Sequence, residues 1–295
     1  MSDSLFDDLI EMHDDHYIPE PTDRNKIFRA PFTVAGGKNR SVKYILPHLP
    51  MRKVWVDHFG GTGVITLNRD SSDVEVFNDR YSAITAFYRC IRDPIKLAAL
   101  ITWLELTLHS REEFIHCRDT WIDETDDVVR AAKWFYAMRT SVLGKMDCFA
   151  RGLKSFSPIN IPKALEGFPA IHSRFRYIQI ENLDFEQCFN DFDDHCTVHY
   201  FDPPYVETDS GIYNHVWTRT DLDRLLRCCQ RAKGFVALSH YPDEQIDGES
   251  FWTDKHEWNV ALTSEINSFD EKNNKAHLEH VQNIDHTVEK LWIKA

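Results

Sequence analysis

Asp202, Pro203, Pro204 and Tyr205 stand where the apolar and aromatic run Thr197–Phe201 stops. A turn needs at most one proline. Two in succession remove two backbone N–H donors and fix the direction of the chain. A carboxylate and a carbonyl held rigidly in this way can accept both hydrogens of an exocyclic amine. Tyr205 adds a flat face on which a planar ring can stack. With both hydrogens engaged, the amine lone pair is less committed to its ring and can attack a sulfonium methyl. The quartet therefore suits methyl transfer to the amino group of a flat base, without a metal or a covalent intermediate.

Two glycine loops precede it. In "DHFGGTG" a strand ends at Asp57 and Phe59, Gly60, Gly61 and Gly63 follow, which lets backbone approach a ligand closely and turn sharply into a helix. In "AGGK" the pair Gly36 and Gly37 sits beside Lys38, a combination able to cradle a carboxylate or phosphate. Asp79 ends the next strand about 20 residues beyond the first loop, where an acid typically holds a ribose hydroxyl pair. Neither the dinucleotide fingerprint nor a Walker sequence is present. A nucleoside cofactor without a pyrophosphate is expected, and S-adenosylmethionine fits that better than NAD.

These groups need a scaffold. "KVWVD", "DVEVFND", "TVHYFD" and "GFVALSHYPD" each run apolar into turn chemistry. Helical patterns follow the second over Tyr81 to Ile91, and the third over Leu222 to Arg231. Strand and helix in alternation predict an α/β fold with a parallel, doubly wound sheet, whose ligands bind at the carboxyl ends of the strands. From Ile95 to about Pro169 helical patterns follow one another without strands, which predicts a helical insertion.

The 295-residue chain carries a formal net charge of −13, which at first argues against a nucleic-acid partner. Its distribution reverses that. Residues 1–23 hold eight acids and no Lys or Arg, leaving 39 acids against 34 bases, a net of −5, in the rest. Between Arg130 and Arg176 nine bases face two acids, for +7. The seven cysteines lack paired ligand spacing, so reduced thiols are expected and no metal site is. No apolar run reaches the roughly 18 residues a membrane span needs.

In order and wording, "AGGK", "FGGTG", a helical insertion, "ENLDFEQCF", "DPPY" and "HTVEKLWI" resemble the Dam-like N6-adenine DNA methyltransferases over nearly everything from Pro31 to Ile293. The resemblance implies a Rossmann-like S-adenosylmethionine-dependent methyltransferase acting on an adenine rotated out of double-stranded DNA. It implies cofactor contacts from Gly36, Gly37, Lys38, Phe59, Gly60 and Gly61, with Asp57 before the loop, Asp79, and the pair Asp184 and Phe185 beside the cofactor adenine. It implies catalysis by Asp202, Pro203, Pro204 and Tyr205. The target-recognition segment falls on the basic insertion, where Arg139, Lys145, Arg151 and Lys154 are the expected phosphate contacts. The domains expected are an acidic arm over 1–28, a catalytic domain over 29–94 and 177–295, and the insertion over 95–176. The arm is a candidate for docking a protein partner. The expected setting is the cytoplasm of a bacterium or of a phage-infected host. The quartet alone also admits an RNA adenine or DNA cytosine-N4 target, and a non-catalytic DNA- or partner-binding relative is the reading from another class. One position departs from the family pattern: His58 stands where proline is usual, a change expected to alter the stiffness of the loop.

Overall fold

The computed structural model describes residues 28–34, 36–150, 161–205, 216–261 and 286–295. The acidic arm therefore lies, but for Phe28, outside the described residues. Through the first half the elements run α1 (Val42–Ile45), β1 (Val54–Asp57), α2 (Val64–Asn68), β2 (Val74–Asn78), α3 (Ser82–Arg92), α4 (Pro94–Leu106), α5 (Arg111–Thr120) and α6 (Asp127–Arg139). They continue as α7 (Ile161–Leu165), α8 (Phe168–Phe175), β3 (Gln179–Glu181), α9 (Phe185–Phe192), β4 (Thr197–Phe201), α10 (Arg219–Arg231), β5 (Phe235–His240), α11 (Glu244–Asp247), β6 (Asp254–Ala261) and β7 (His286–Lys294).

Among the described residues seven strands form one sheet, in the order β3-β2-β1-β4-β5-β7-β6. The first five run parallel, and β7 is antiparallel to both β5 and β6. The sheet is thus mixed rather than wholly parallel. The four strands expected from the sequence are β1, β2, β4 and β5, its central members. Order reverses between β1 and β4, so their carboxyl ends flank the switch point where α/β sheets bind ligands.

Local chemistry explains the boundaries. Asp93 caps α4 by accepting from the N–H groups of Ile95 and Lys96, with Pro94 as first helical residue. Asp126 caps α6 in the same way, and Thr218 and Asp221 close a reciprocal capping box on α10. The helical insertion stays close to the sheet layer because α6 is apolar where it meets α3. Phe32, Phe87, Trp134, Phe135 and Phe168 form one buried aromatic core across the two. The Phe32 ring meets Phe87 edge-on at 5.5 Å and Trp134 at 5.0 Å.

At His58 the structure shows what replaces the usual proline. Its backbone N–H donates to the Tyr200 carbonyl at 3.0 Å, a bond no proline can make, tying the end of β1 to β4. Its buried ring stacks on Phe201 at 4.2 Å and its Nε2 lies 3.0 Å from His199 Nδ1. The loop is therefore stiffened by hydrogen bonding instead of by a ring.

Gly63 begins α2 with φ of 70°, and a Cβ there would lie 2.6 Å from the Tyr88 hydroxyl. That hydroxyl donates to the Thr62 carbonyl, so it has no free direction in which to retreat. Left-handed strain alone costs a non-glycine residue about 1–3 kcal/mol. Gly63→Ala is expected to lower the unfolding free energy by at least that much, read from the urea midpoint at unchanged slope.

Candidate active site

The carboxyl ends of β1, β2, β4 and β5 open on a cavity of about 710 Å³. Every residue expected to hold cofactor or to act in catalysis lines it: Gly36, Gly37, Lys38, Asp57, Phe59, Gly60, Gly61, Asp79, Asp184, Phe185, Asp202, Pro203, Pro204 and Tyr205. Of the expected phosphate contacts, exposed Lys145 is also at its wall. Arg139 is not among the lining residues; it is half-buried, its Nε is shut away without a partner, and burial lowers its pKa. Arg151 and Lys154 lie outside the described residues.

Strand alternation sets up the site. Trp55 of β1, Tyr200 of β4, Ala237 of β5 and Leu291 of β7 share one apolar face, covered by Val42 and Ile45 of α1. Two residues further toward the rim, the same face carries Asp57, Asp202, Ser239 and Glu289. A polar rim thus crowns an apolar wall.

The centre of that rim is Lys38, only 3% exposed. Its ammonium pairs with Asp202 Oδ1 at 2.5 Å and Glu289 Oε1 at 2.9 Å, and donates to the Gly36 carbonyl and the Tyr205 hydroxyl, both at 3.1 Å. Burial alone would pull its pKa down, but Asp202, Tyr205, Glu289 and Tyr200 outweigh that and hold it well above the ordinary lysine range. Burial pushes the Asp202 carboxyl up to about 6; Lys38 opposes the shift and Glu289 adds to it. The Ser239 hydroxyl also donates to Asp202 Oδ1, at 3.1 Å. One face of Tyr205 carries the Tyr241 ring, parallel within 21° at 4.0 Å. Gly36, at φ of 78°, passes so close that a Cβ would sit 3.5 Å from the Tyr205 ring.

Around the glycine loop, Asp79 accepts from the backbone N–H groups of Gly61 and Tyr81, each at 2.8 Å. Burial raises it to about 6 against those two bonds. Asn78 links the loops, donating to the carbonyls of His58 and Leu183 and accepting from the Leu183 N–H. Asp184 caps α9 and pairs with Arg224 at 2.6 Å and Arg80 at 2.8 Å. The Arg224 guanidinium lies 4.9 Å over the Phe185 ring, so one side chain fixes both members of the pair.

Sequence reasoning gave no role to Glu289, Tyr241 or Arg224. For Glu289 a signal existed: in "HTVEKLWIK" it shares its period-2 face with Leu291 and Ile293, so a charged residue falls on a buried face. Tyr241 and Arg224 carry no such pattern and are found only from their contacts.

Asp57 accepts from the Thr66 hydroxyl at 2.8 Å through Oδ2, while its Oδ1 is buried at the cavity wall without a hydrogen-bond partner. Burial raises this carboxyl from 3.8 to about 7, with Asp202 and Asp79 adding to the shift. An acid with a raised folded pKa stabilises the fold least where it must ionise, so this contribution falls as pH rises from about 4 through 7. Asp57→Asn removes the ionisation. Its thermal midpoint is expected to exceed the parent's by a few degrees at pH 8 and by a smaller margin at pH 5.

Residues 35–245 match the profile of the family described as "D12 class N6 adenine-specific DNA methyltransferase". No individual curated protein matches the chain. The family profile spans both glycine loops, the insertion and the Asp202–Tyr205 quartet, the residues that meet around this one cavity. The chain belongs to the D12 class of N6 adenine-specific DNA methyltransferases, S-adenosylmethionine-dependent enzymes that methylate adenine in DNA.

Proposed function

We propose that this cavity holds both reactants of this reaction, with S-adenosylmethionine along the glycine-loop side and a flipped adenine against Asp202 to Tyr205. The observation that supports this reading most is that all fourteen residues in question line that cavity together. The residues fit the cofactor. Asp57 Oδ1 is an orphaned buried acceptor suited to a cationic donor, and the Asp79 carboxylate is anchored from two backbone N–H groups with acceptor capacity left for ribose hydroxyls. Gly36, Gly37, Lys38, Phe59, Gly60 and Gly61 complete that wall, and Asp184 and Phe185 suit the amine and face of its adenine. When bound, S-adenosylmethionine supplies an electrophilic methyl on a sulfonium.

The chain's own residues do the rest. Asp202 and the Pro203 carbonyl accept the two N6 hydrogens of the target base, and Pro204 keeps the carbonyl from swinging. Tyr205 stacks on the base, a contact for which its parallel packing with Tyr241 is the precedent in this fold. Positioning then provides most of the acceleration. Residues 95–176 act as the target-recognition unit on a catalytic domain made of 29–94 and 177–295. Trp121, Ile122, Arg130 and Lys145 of that unit line the same cavity, so an extruded base would enter it beside them.

Incubation with S-adenosylmethionine and unmethylated duplex DNA, followed by nucleoside mass spectrometry, is expected to yield N6-methyladenine, and none with Asp202→Ala. Product confined to N4-methylcytosine, or to RNA under the same conditions, would overturn the assignment of the base site. Lys145→Ala is expected to weaken duplex binding and to reduce the slope of log affinity against log salt by about 1, the signature of one lost phosphate contact. An unchanged slope would remove Lys145 from the DNA surface.

A further inference from the structure

We propose that Glu289, on β7, is a positioning residue for methyl transfer: it holds the Lys38 ammonium at the point where it meets both Asp202 and the Tyr205 hydroxyl. The inference rests on the reading of Asp202 and Tyr205 as the base site.

The geometry is specific. Glu289 is 3% exposed, and its two oxygens bond different partners. Oε1 accepts from Lys38 at 2.9 Å and from the Tyr205 hydroxyl at 3.4 Å. Oε2 accepts from the Ser41 hydroxyl, which itself accepts from Trp258 Nε1 at 3.2 Å. Trp258 is the β6 residue registered opposite Glu289, so the anchor reaches back into the sheet. The carboxylate thus ties strand β7 to the cation that, among the described residues, touches both proposed catalytic side chains.

Neutralising Lys38 is not a sufficient reason for this residue. Asp202 at 2.5 Å already balances the ammonium, and a second buried carboxylate costs several kcal/mol of desolvation that an apolar residue would avoid. An acid that merely filled the strand face would have been cheaper as a leucine, like Leu291 two residues on. What the second carboxylate adds is direction. With Asp202 alone, Lys38 could follow Asp202 wherever it moved. With Glu289 fixed from the opposite side, the ammonium stays put and Asp202 is held from it. Antiparallel β7 makes this possible. Lys290 is registered with His240 at the end of β5, which places Glu289 at the level of the strand ends where the chemistry sits.

The groups facing Asp202 are Lys38, Glu289 of β7, Tyr200 of β4, Asp57 of β1, Ser239 and Tyr241 at the end of β5, and Tyr205. Glu289 is the acid whose charge disfavours Asp202 ionisation most directly, so its neutralisation moves the acid limb of the rate to lower pH while misplacing Lys38.

The test is steady-state and single-turnover methylation of duplex DNA across pH 5–9 by wild type, Glu289→Gln and Glu289→Asp, with cofactor affinity and thermal midpoint measured alongside. Glu289→Gln is expected to lower kcat about tenfold or more, to leave KM for DNA and the cofactor Kd within about threefold, and to shift the acid limb downward. Glu289→Asp keeps the charge but cannot span Lys38 and Ser41. It is expected to lose kcat similarly with the acid limb in place. Should Glu289→Gln fold poorly, the Asp variant alone decides, because it leaves the charge balance of the fold intact. Wild-type kcat in the Asp variant, or losses that merely track the folded fraction with an unmoved pH profile in Gln, would assign Glu289 to stability. Product from wild type beside an unimpaired Gln variant would overturn this role while leaving the base site as read.

Discussion

One buried ammonium organises the site. Lys38 comes from a loop near the start of the described chain, Asp202 from the end of the central strand β4, and Glu289 from the last strand, and they meet within 2.9 Å of its nitrogen. At an effective dielectric of about 20, charges some 4 Å apart interact by about 4 kcal/mol, and at shorter separations by more. Two carboxylates this close in a dry rim would drive each other toward protonation or apart. The cation between them lets the two stand near each other. Removing it would strand two buried acids, whereas removing either acid leaves a balanced pair. That asymmetry makes Lys38 the group on which the geometry of Asp202, Tyr205 and Glu289 jointly depends.

The surrounding architecture serves the same end. Each strand that reaches the rim alternates, so the face that buries Trp55, Tyr200, Ala237 and Leu291 presents Asp57, Asp202, Ser239 and Glu289 one step further along. A one-residue slip of any of these strands would send its rim residue to the opposite face. The opposite face bears the second device, the contact between the His58 and His199 rings, which continues from His199 Nε2 to Asp193 at 3.2 Å. Asp193 in turn accepts from the backbone N–H groups of Lys233 and Gly234. This chain of contacts fixes β1, β4 and the turn before β5 beneath the cavity, and buried His58 is held neutral, with its pKa pushed well below the ordinary value by burial and by His199.

Much of this was legible in the sequence because the informative residues sit next to one another in it. Strand, glycine loop and quartet are local patterns, and β1, β2, β4 and β5 announce themselves by apolar runs ending in Asp, Asn or Pro. The omissions share a cause. β3 has three residues and little apolar character, so periodicity had nothing to work on. β6 and β7 are strands only by pairing with each other and with β5, a long-range fact. Glu289 was written in a strand whose alternation marked it as inward-facing, but its partners are 251 positions away at Lys38 and 84 away at Tyr205, and no local pattern expresses that meeting. Arg139 shows the opposite error of a charge count: a basic residue in a basic segment that packing has drawn half inside.

Charge balance joins these observations to the reaction. Asp57, Asp79 and Asp202 line the cavity, and among the described residues Lys38 is the ammonium that pairs with Asp202 and, beyond it, with Glu289. The consequence is visible in three carboxyls lifted by burial toward neutrality, to about 7 for Asp57 and about 6 for Asp79 and Asp202. Arg80, Arg130, Lys145 and Arg224 also line the cavity, and Arg80 and Arg224 pair there with Asp184. On the proposed reading, S-adenosylmethionine would bring a net positive charge, its sulfonium and ammonium against its carboxylate, and would favour the ionised forms of the acids nearest to it. On the proposed reading the two sites would then be coupled through the ionisation of Asp202, before any movement of the chain is invoked.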